Sequence, residues 1–122
     1  MSTDRELLED AAKAAGYVLV WGDKYKLGDD EIDCTDIPYI RSGQPDEGDV
    51  HWNPLSDDGD ALRLAVKLGI RIRPMPGFGD DCVLCSADHK NAWAQEPFAN
   101  DPLAATRRAI VRAAAEIGRS KE

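Results

Sequence analysis

Two cysteines at a spacing used by metal sites, Cys82 and Cys85, are the first residues that could do chemistry. A structural zinc site takes four Cys or His ligands, usually as two such pairs. Cys34, His51 and His89 could contribute, but they form no second pair. Residues three apart on a β-strand also point to opposite faces of its sheet, which separates the two sulfurs. We therefore predict no metal and no cofactor, and we interpret both cysteines as small apolar side chains of a strand.

A cluster of carboxylates, Asp57, Asp58 and Asp60, is a second candidate. Carboxylates can hold Mg²⁺ or Ca²⁺, but this spacing does not match a calcium-binding loop. Acidic side chains at the start of a helix also cap it and favour its dipole. We predict the capping role, and we keep the three aspartates as candidate binding residues.

His51 could act as a general base if Asp57 or Asp58 oriented its ring. The sequence has no recognisable nucleophile motif to accompany it. We therefore predict no catalytic residue and no enzymatic activity. A metal-dependent enzyme that uses His51 and the aspartates is a rival hypothesis.

Tryptophan and arginine are the residues that most often anchor a protein partner. We predict that Trp21, Trp52 and Trp93 are core residues, and that Trp52 or Trp93 is the alternative anchor. Arg108 and Arg112 lie four residues apart, which makes them neighbours on the outer side of the last helix. We predict that they face solvent or pair with the acidic first half of the chain. A second interpretation is an interface between two copies, and hence a homodimer.

The charge is unevenly distributed along the 122 residues. The net charge is −8, with −11 in the first 60 residues and +3 in the remainder. This balance argues against binding a phosphate backbone, which needs clustered Lys and Arg. No apolar run approaches the roughly 20 residues that span a bilayer, and the start of the chain lacks the features of a secretion signal. We expect a cytoplasmic protein that binds neither nucleic acid nor membrane.

Three helices must position these residues. The second is apolar on more than one face, so we expect it to be largely buried, against a sheet. Capping residues and glycines predict where each helix begins and ends. The first helix is predicted to begin at Thr3, with Glu6 completing the cap, and to end at Gly16. The second is predicted to begin at Ser56 or an adjacent Asp and to end at Gly69. The third is predicted to begin at Asp101, followed by Pro102, and to end at Gly118.

Apolar and β-branched runs predict the strands between these helices. The resulting order, α-β-β-α-β-β-α with a further short strand before the last helix, predicts a single α+β (mixed α/β) domain over residues 1–122, with one small, mostly antiparallel sheet layered with three helices. Residues 29–51 are predicted as a long acidic loop in which short strands can hide. The predicted strands are 17–21 and 25–27, which we expect to form a hairpin, then 70–73, 82–86 and 92–95.

The segment Trp52-Asn-Pro-Leu-Ser-Asp-Asp-Gly-Asp-Ala-Leu-Arg-Leu-Ala-Val-Lys-Leu-Gly69 resembles the phage ABA sandwich domain family of small phage and prophage proteins. The segment Thr106-Arg-Arg-Ala-Ile-Val-Arg-Ala-Ala-Ala-Glu-Ile-Gly118 and, more loosely, the opening Asp4-Arg-Glu-Leu-Leu-Glu are also similar to it. The resemblance implies an α/β/α layered fold, a phage or prophage source and action in a bacterial cytoplasm. It implies no catalytic residue.

The leading functional hypothesis is a non-enzymatic phage accessory protein that binds, and in one form inhibits, a host or defence protein. In one form of this hypothesis the protein mimics nucleic acid, and its acidic side chains occupy a basic channel of the target. A second hypothesis is a small-ligand protein that sequesters a nucleotide signal, with Tyr39, Arg41, Trp52 and Arg73 around the ligand. A third is a virion assembly protein. The acids proposed for target binding are Asp29, Asp30, Glu31, Asp46, Glu47 and Asp49.

Overall fold

The computed structural model describes residues 3–41, 49–75, 81–87 and 91–120, and these form three helices and eight strands. The helices are α1 (Asp4–Ala15), α2 (Asp58–Leu68) and α3 (Pro102–Ser120). The strands are β1 (Leu19–Trp21), β2 (Lys24–Leu27), β3 (Asp30–Asp33), β4 (Pro38–Arg41), β5 (Asp49–His51), β6 (Arg71–Met75), β7 (Cys82–Ala87) and β8 (Ala92–Pro97).

All strand pairs described are antiparallel, which confirms the predicted α+β class. The strands form three small sheets where the sequence predicted one. Their strand orders are β1-β4-β5, β2-β3 and β6-β7-β8. None of the helices among the described residues combines the length and apolarity needed to cross a membrane.

The predicted hairpin between residues 17–21 and 25–27 is wrong. β1 pairs with β4, and β2 pairs with β3. The chain reverses one strand later, because Gly28 adopts a left-handed φ of 68° in the two-residue connection between β2 and β3. Glycine at the first position of such a loop is the preference of a type II′ hairpin turn.

The segment predicted as one long loop, residues 29–51, contains most of this pairing. β3 and β4 lie within it, and β5 closes it. Residues 42–48, which include Asp46 and Glu47, lie outside the described residues. The expectation that residues 29–51 contain short strands is therefore confirmed, although the sequence did not predict how many.

α3 forms the centre of the core, and α1 packs closely along it. We predicted that Gly118 ends this helix, which is wrong, since α3 continues to Ser120 and Gly118 is buried. A Cβ atom at position 118 would lie 1.9 Å from the carbonyl oxygen of Asp10 in α1. Glycine is required there because two helix backbones approach closely, and not because the helix stops.

α2 packs chiefly against α3 and, to a lesser extent, against α1. The prediction that it is largely buried against a sheet is therefore wrong. Its buried residues, which include Ala61 and Leu64, follow one stripe, whereas Leu62 and Val66 are 57% and 74% exposed. An α-helix can bury only the face that meets a neighbour, and here that neighbour is another helix.

The sheet β6-β7-β8 has one face on α3 and one face away from it. Directly paired residues of an antiparallel sheet lie on the same face, so the register assigns each side chain to a face. Val83, Cys85 and Ala94 are buried on the α3 side. The opposite face carries Arg71, Arg73, Leu84, Ser86, Trp93 and Gln95.

Candidate functional site

The aspartates at the start of α2 are engaged within the chain. Asp57 is the N-cap of α2, since its side chain accepts a hydrogen bond from the backbone N–H of Asp60 at 2.8 Å. Asp58 pairs with Arg107 of α3 at 2.6 Å. The predicted capping role is confirmed for Asp57, and Asp58 ties α2 to α3.

Asp60 is a buried carboxylate with two well-placed partners. It is 9% exposed, and it accepts hydrogen bonds from the backbone N–H of Asn53 at 3.0 Å and from Arg63 at 2.7 Å. A buried carboxylate with both oxygens satisfied fixes the chain that enters the helix. The three aspartates that the sequence analysis kept as binding candidates therefore have structural partners.

Trp52 lies in the core and not at the surface. It is 4% exposed, and its ring meets the ring of Tyr17 edge to face, with 5.7 Å between the ring centroids. The prediction of a core residue is confirmed, and the alternative of a partner anchor at this position is wrong because the side chain offers no accessible surface. Trp93 has the opposite outcome: it is 62% exposed, so its assignment to the core is wrong.

The arginines of α3 form ion pairs with acidic residues from other parts of the chain. Arg108 reaches Asp4 at 3.0 Å, and Arg112 reaches Glu96 at 2.8 Å. Glu96 is only 17% exposed at its side chain and also lies 3.7 Å from Arg108. The pair of Arg108 with Asp4 confirms the predicted pairing with the acidic first half of the chain, whereas Arg112 pairs with Glu96, which lies in the second half. The homodimer through this helix face stays a prediction.

Cys82 and Cys85 lie on β7 and His51 lies on β5, in a different sheet, while His89 lies outside the described residues. Cys82 and Cys85 point to opposite faces of their sheet, as the strand spacing predicted, and both are buried. Burial raises the pKa of the Cys85 thiol to about 11, so this thiol is protonated at neutral pH. His51 packs edge to face on Tyr39, with 5.6 Å between the ring centroids. Among the described residues, no three His, Cys, Asp or Glu side chains converge in a way that could hold a metal ion.

The residues proposed for the small-ligand site are divided between two sheets. Tyr39 and Arg41 lie on β4, and Arg73 lies on β6, which belongs to another sheet. Trp52 is buried, as described above. The structure therefore does not bring this set of residues to a common pocket.

Asp29, Asp30 and Glu31 lie together on a projecting hairpin. We use the name acidic hairpin for residues 24–33, which comprise β2, the Gly28-Asp29 connection and β3. β2 and β3 pack chiefly against each other. The three acidic side chains are exposed at and beside the turn, so any protein that approaches this end of the hairpin meets negative charge first.

One face of the acidic hairpin carries its apolar side chains together with Asp30, which is paired with Leu27. Residues two apart on a strand share a face, so Tyr25 and Leu27 lie together, and Ile32 is paired with Tyr25 on the same side. Tyr25 is 51% exposed and Leu27 is 67% exposed. Lys24, Lys26, Glu31 and Asp33 lie on the other face. The sequence analysis missed this arrangement, although Gly28-Asp29 between two short runs is a recognised hairpin signal.

The base of the acidic hairpin is closed by short-range contacts. A Cβ atom at Gly22 would lie 2.3 Å from the carbonyl oxygen of Cys34, so only glycine allows the two segments to approach so closely. The hydroxyl and backbone N–H of Thr35 both donate to Asp33, at 2.6 and 2.9 Å. These hydrogen bonds stabilise the carboxylate and hold the pKa of Asp33 below its ordinary value.

The comparisons with known proteins give no relative. No family model, no curated protein and no solved structure matches this chain. The resemblance to the phage ABA sandwich domain family therefore stays a prediction, and the exposed surfaces are the features of this chain that bear on its function.

Proposed function

We propose that this chain is a non-enzymatic protein-binding module and that the acidic hairpin is the element that docks on a basic partner. The observation that carries the proposal is the exposure of Tyr25 and Leu27 beside Asp29 and Asp30. Together with the resemblance described above, this favours a phage or prophage accessory protein whose partner is a host or defence protein in the bacterial cytoplasm.

Tyr25 and Leu27 are already partly buried in the free chain, so a partner can cover only the exposed half to two thirds of each side chain. Full burial of a side chain of this size contributes about 1.5–3 kcal/mol, so the two together would contribute roughly 2–3.5 kcal/mol of the about 8 kcal/mol of a micromolar affinity. An isolated two-stranded hairpin is marginally stable in water. A hairpin that keeps these side chains exposed therefore gains stability when a partner covers them.

The acidic side chains at the turn would act mainly on partner choice. Charge complementarity raises the association rate and disfavours partners of the same sign, whereas the buried apolar contacts determine the dissociation rate. We therefore expect binding that weakens as the salt concentration rises, with a partner surface rich in Lys and Arg.

The test uses a photo-crosslinking residue at position 29, at the turn, and at position 103 as a control. Leu103 is 62% exposed but lies on α3. The tagged protein is irradiated in bacterial lysate, and crosslinked proteins are identified by mass spectrometry. We expect a protein with a basic surface that is captured from position 29 and not from position 103.

The affinity for that protein is then measured with two double variants. The variant Tyr25→Ser/Leu27→Ser should bind at least about 100-fold more weakly, on the scale at which 1.4 kcal/mol is tenfold. The matched control Leu62→Ser/Val66→Ser removes exposed apolar side chains from α2 and should bind normally. Cross-strand NMR contacts between β2 and β3 check that the hairpin still forms. Loss of binding in the control with retention in the hairpin variant would refute the proposal.

A further inference from the structure

The face of the β6-β7-β8 sheet that points away from α3 has an unusual composition for this acidic chain. We call it the basic sheet face, and it consists of Arg71, Arg73, Leu84, Ser86, Trp93 and Gln95. Arg71, Ser86 and Trp93 are direct neighbours across the three strands, and Arg73, Leu84 and Gln95 form the next row. Two arginines and a tryptophan thus meet on one open surface.

This face lines a shallow depression of about 950 Å³. The described residues that line it include two arginines and no carboxylate, although the whole chain carries a net charge of −8. Trp93, near the centre of the face, is 62% exposed. Tryptophan and arginine in a desolvated patch are the residues that most often dominate the energy of protein association.

The acidic hairpin has the complementary properties. It presents Asp29 at the turn and Asp30 on the same face as an exposed apolar pair, Tyr25 and Leu27, whereas Glu31 lies on the other face. Neighbouring strands are about 4.8 Å apart, so a two-stranded hairpin is about half as wide as the span between the outer strands of the basic sheet face. The face is therefore wider than the backbone of the hairpin, and a hairpin lying on it would place Asp29 and Asp30 near the arginines of β6 and an apolar side chain against Trp93.

We propose that the basic sheet face of one copy binds the acidic hairpin of a second copy. The proposal rests on the proposed function in one respect, since it uses the same hairpin as the docking element. Self-association through this contact covers Tyr25 and Leu27, so it competes with any other protein for the hairpin. The contact is smaller than a standard interface, so we expect affinity in the micromolar to millimolar range.

The test measures the oligomeric state of the purified protein by analytical ultracentrifugation up to about 1 mM, which covers this affinity range. One variant reverses the hairpin (Asp29→Lys, Asp30→Lys, Glu31→Lys), and the other reverses the sheet face (Arg71→Glu, Arg73→Glu). Each variant alone should be monomeric where the wild type associates. An equimolar mixture should associate again, because the intact hairpin of one variant meets the intact sheet face of the other.

Two further variants separate the proposed contact from a general loss of structure or charge. Trp93→Ser keeps the charge of the face and should weaken association about tenfold or more, as expected for a central tryptophan. Arg41→Glu changes an exposed arginine on β4, in another sheet, and should leave association unchanged. Circular dichroism confirms that each variant is folded.

A wild-type protein that stays monomeric over the whole range would overturn this inference and leave the crosslinking result at position 29 standing. Association that survives either charge reversal, or that fails to return in the mixture of folded variants, would overturn it as well. If the sheet-face variant were monomeric while the hairpin variant still associated, another segment would occupy the sheet face, and the inference would be wrong.

Discussion

The two sides of the β6-β7-β8 sheet use the same kinds of residue in different ways. On the α3 side, the arginines of the helix pair with carboxylates such as Glu96 and Asp58, and the sheet buries small apolar side chains. On the opposite side, Arg73 and Trp93 are exposed. An arginine or a tryptophan in the sequence can therefore be assigned to a docking surface only when its tertiary neighbours are known.

The acidic hairpin extends this comparison to negative charge. Asp57 and Asp60 at the start of α2 have hydrogen-bond partners that fix the helix. Asp29 and Asp30 lie exposed at the turn of a hairpin that packs chiefly on itself. Both clusters look alike in the sequence, yet one contributes to the fold and the other is available to a partner.

Replacing each of two tryptophans gives the largest expected contrast. Trp52→Ala removes a buried ring and should lower the free energy of unfolding by about 3–5 kcal/mol. Trp93→Ala removes an exposed ring and should change it by less than about 0.5 kcal/mol. Urea unfolding followed by circular dichroism measures both. Similar values for the two variants would refute the assignment of buried and exposed sides.

The close approach of α1 and α3 gives the next largest effect. Gly118→Ala places a methyl group against the carbonyl of Asp10, and we expect a loss of about 1–3 kcal/mol in unfolding free energy, the usual effect of overpacking. Alanine is otherwise the better helix former, by about 1 kcal/mol. Thermal or urea unfolding therefore tests whether Gly118→Ala lowers or raises the free energy of unfolding. A more stable variant would show that the helices do not touch at this glycine.

The smallest effect concerns the base of the acidic hairpin. The hydrogen bonds from Thr35 lower the pKa of Asp33 in the folded chain, below the ordinary value of 3.8. Their contribution to hairpin stability is therefore present above that value and is lost as the pH falls through the lower folded pKa. Thr35→Val should move the pKa of Asp33 back towards 3.8.

An NMR titration of the side-chain carboxyl carbons measures this shift directly. The same spectra report whether the β2-β3 pairing weakens at acid pH. An unchanged Asp33 pKa in Thr35→Val would show that the Thr35 hydroxyl is not its main partner in solution.

Much of the helical structure could be predicted from local signals. The capping box of Thr3 and Glu6, the cap at Asp57 and the Asp101-Pro102 start all occur where the sequence placed them. The last three strands were also predicted, although β6 extends past Pro74 to Met75. Caps, glycines and alternating side chains act over a few residues, so one sequence is enough to identify them.

The candidate site was predicted less well. The acids of the hairpin were singled out, whereas Tyr25 and Leu27 were not, because the segment was assigned to the wrong strand pair. Exposure of Trp93 could not be inferred from its residue type, which favours burial.

The α+β class, the three helices and the concentration of acid in the first half of the chain follow from composition or short-range pattern, so they can be inferred from the residues alone. Tertiary packing is needed to establish which strands pair, why Gly118 is a glycine and which tryptophan faces solvent. These features depend on contacts between segments far apart in the chain, such as Asp10 with Gly118, and no local pattern specifies them. The same long-range packing leaves one face of a sheet and one hairpin open to a partner.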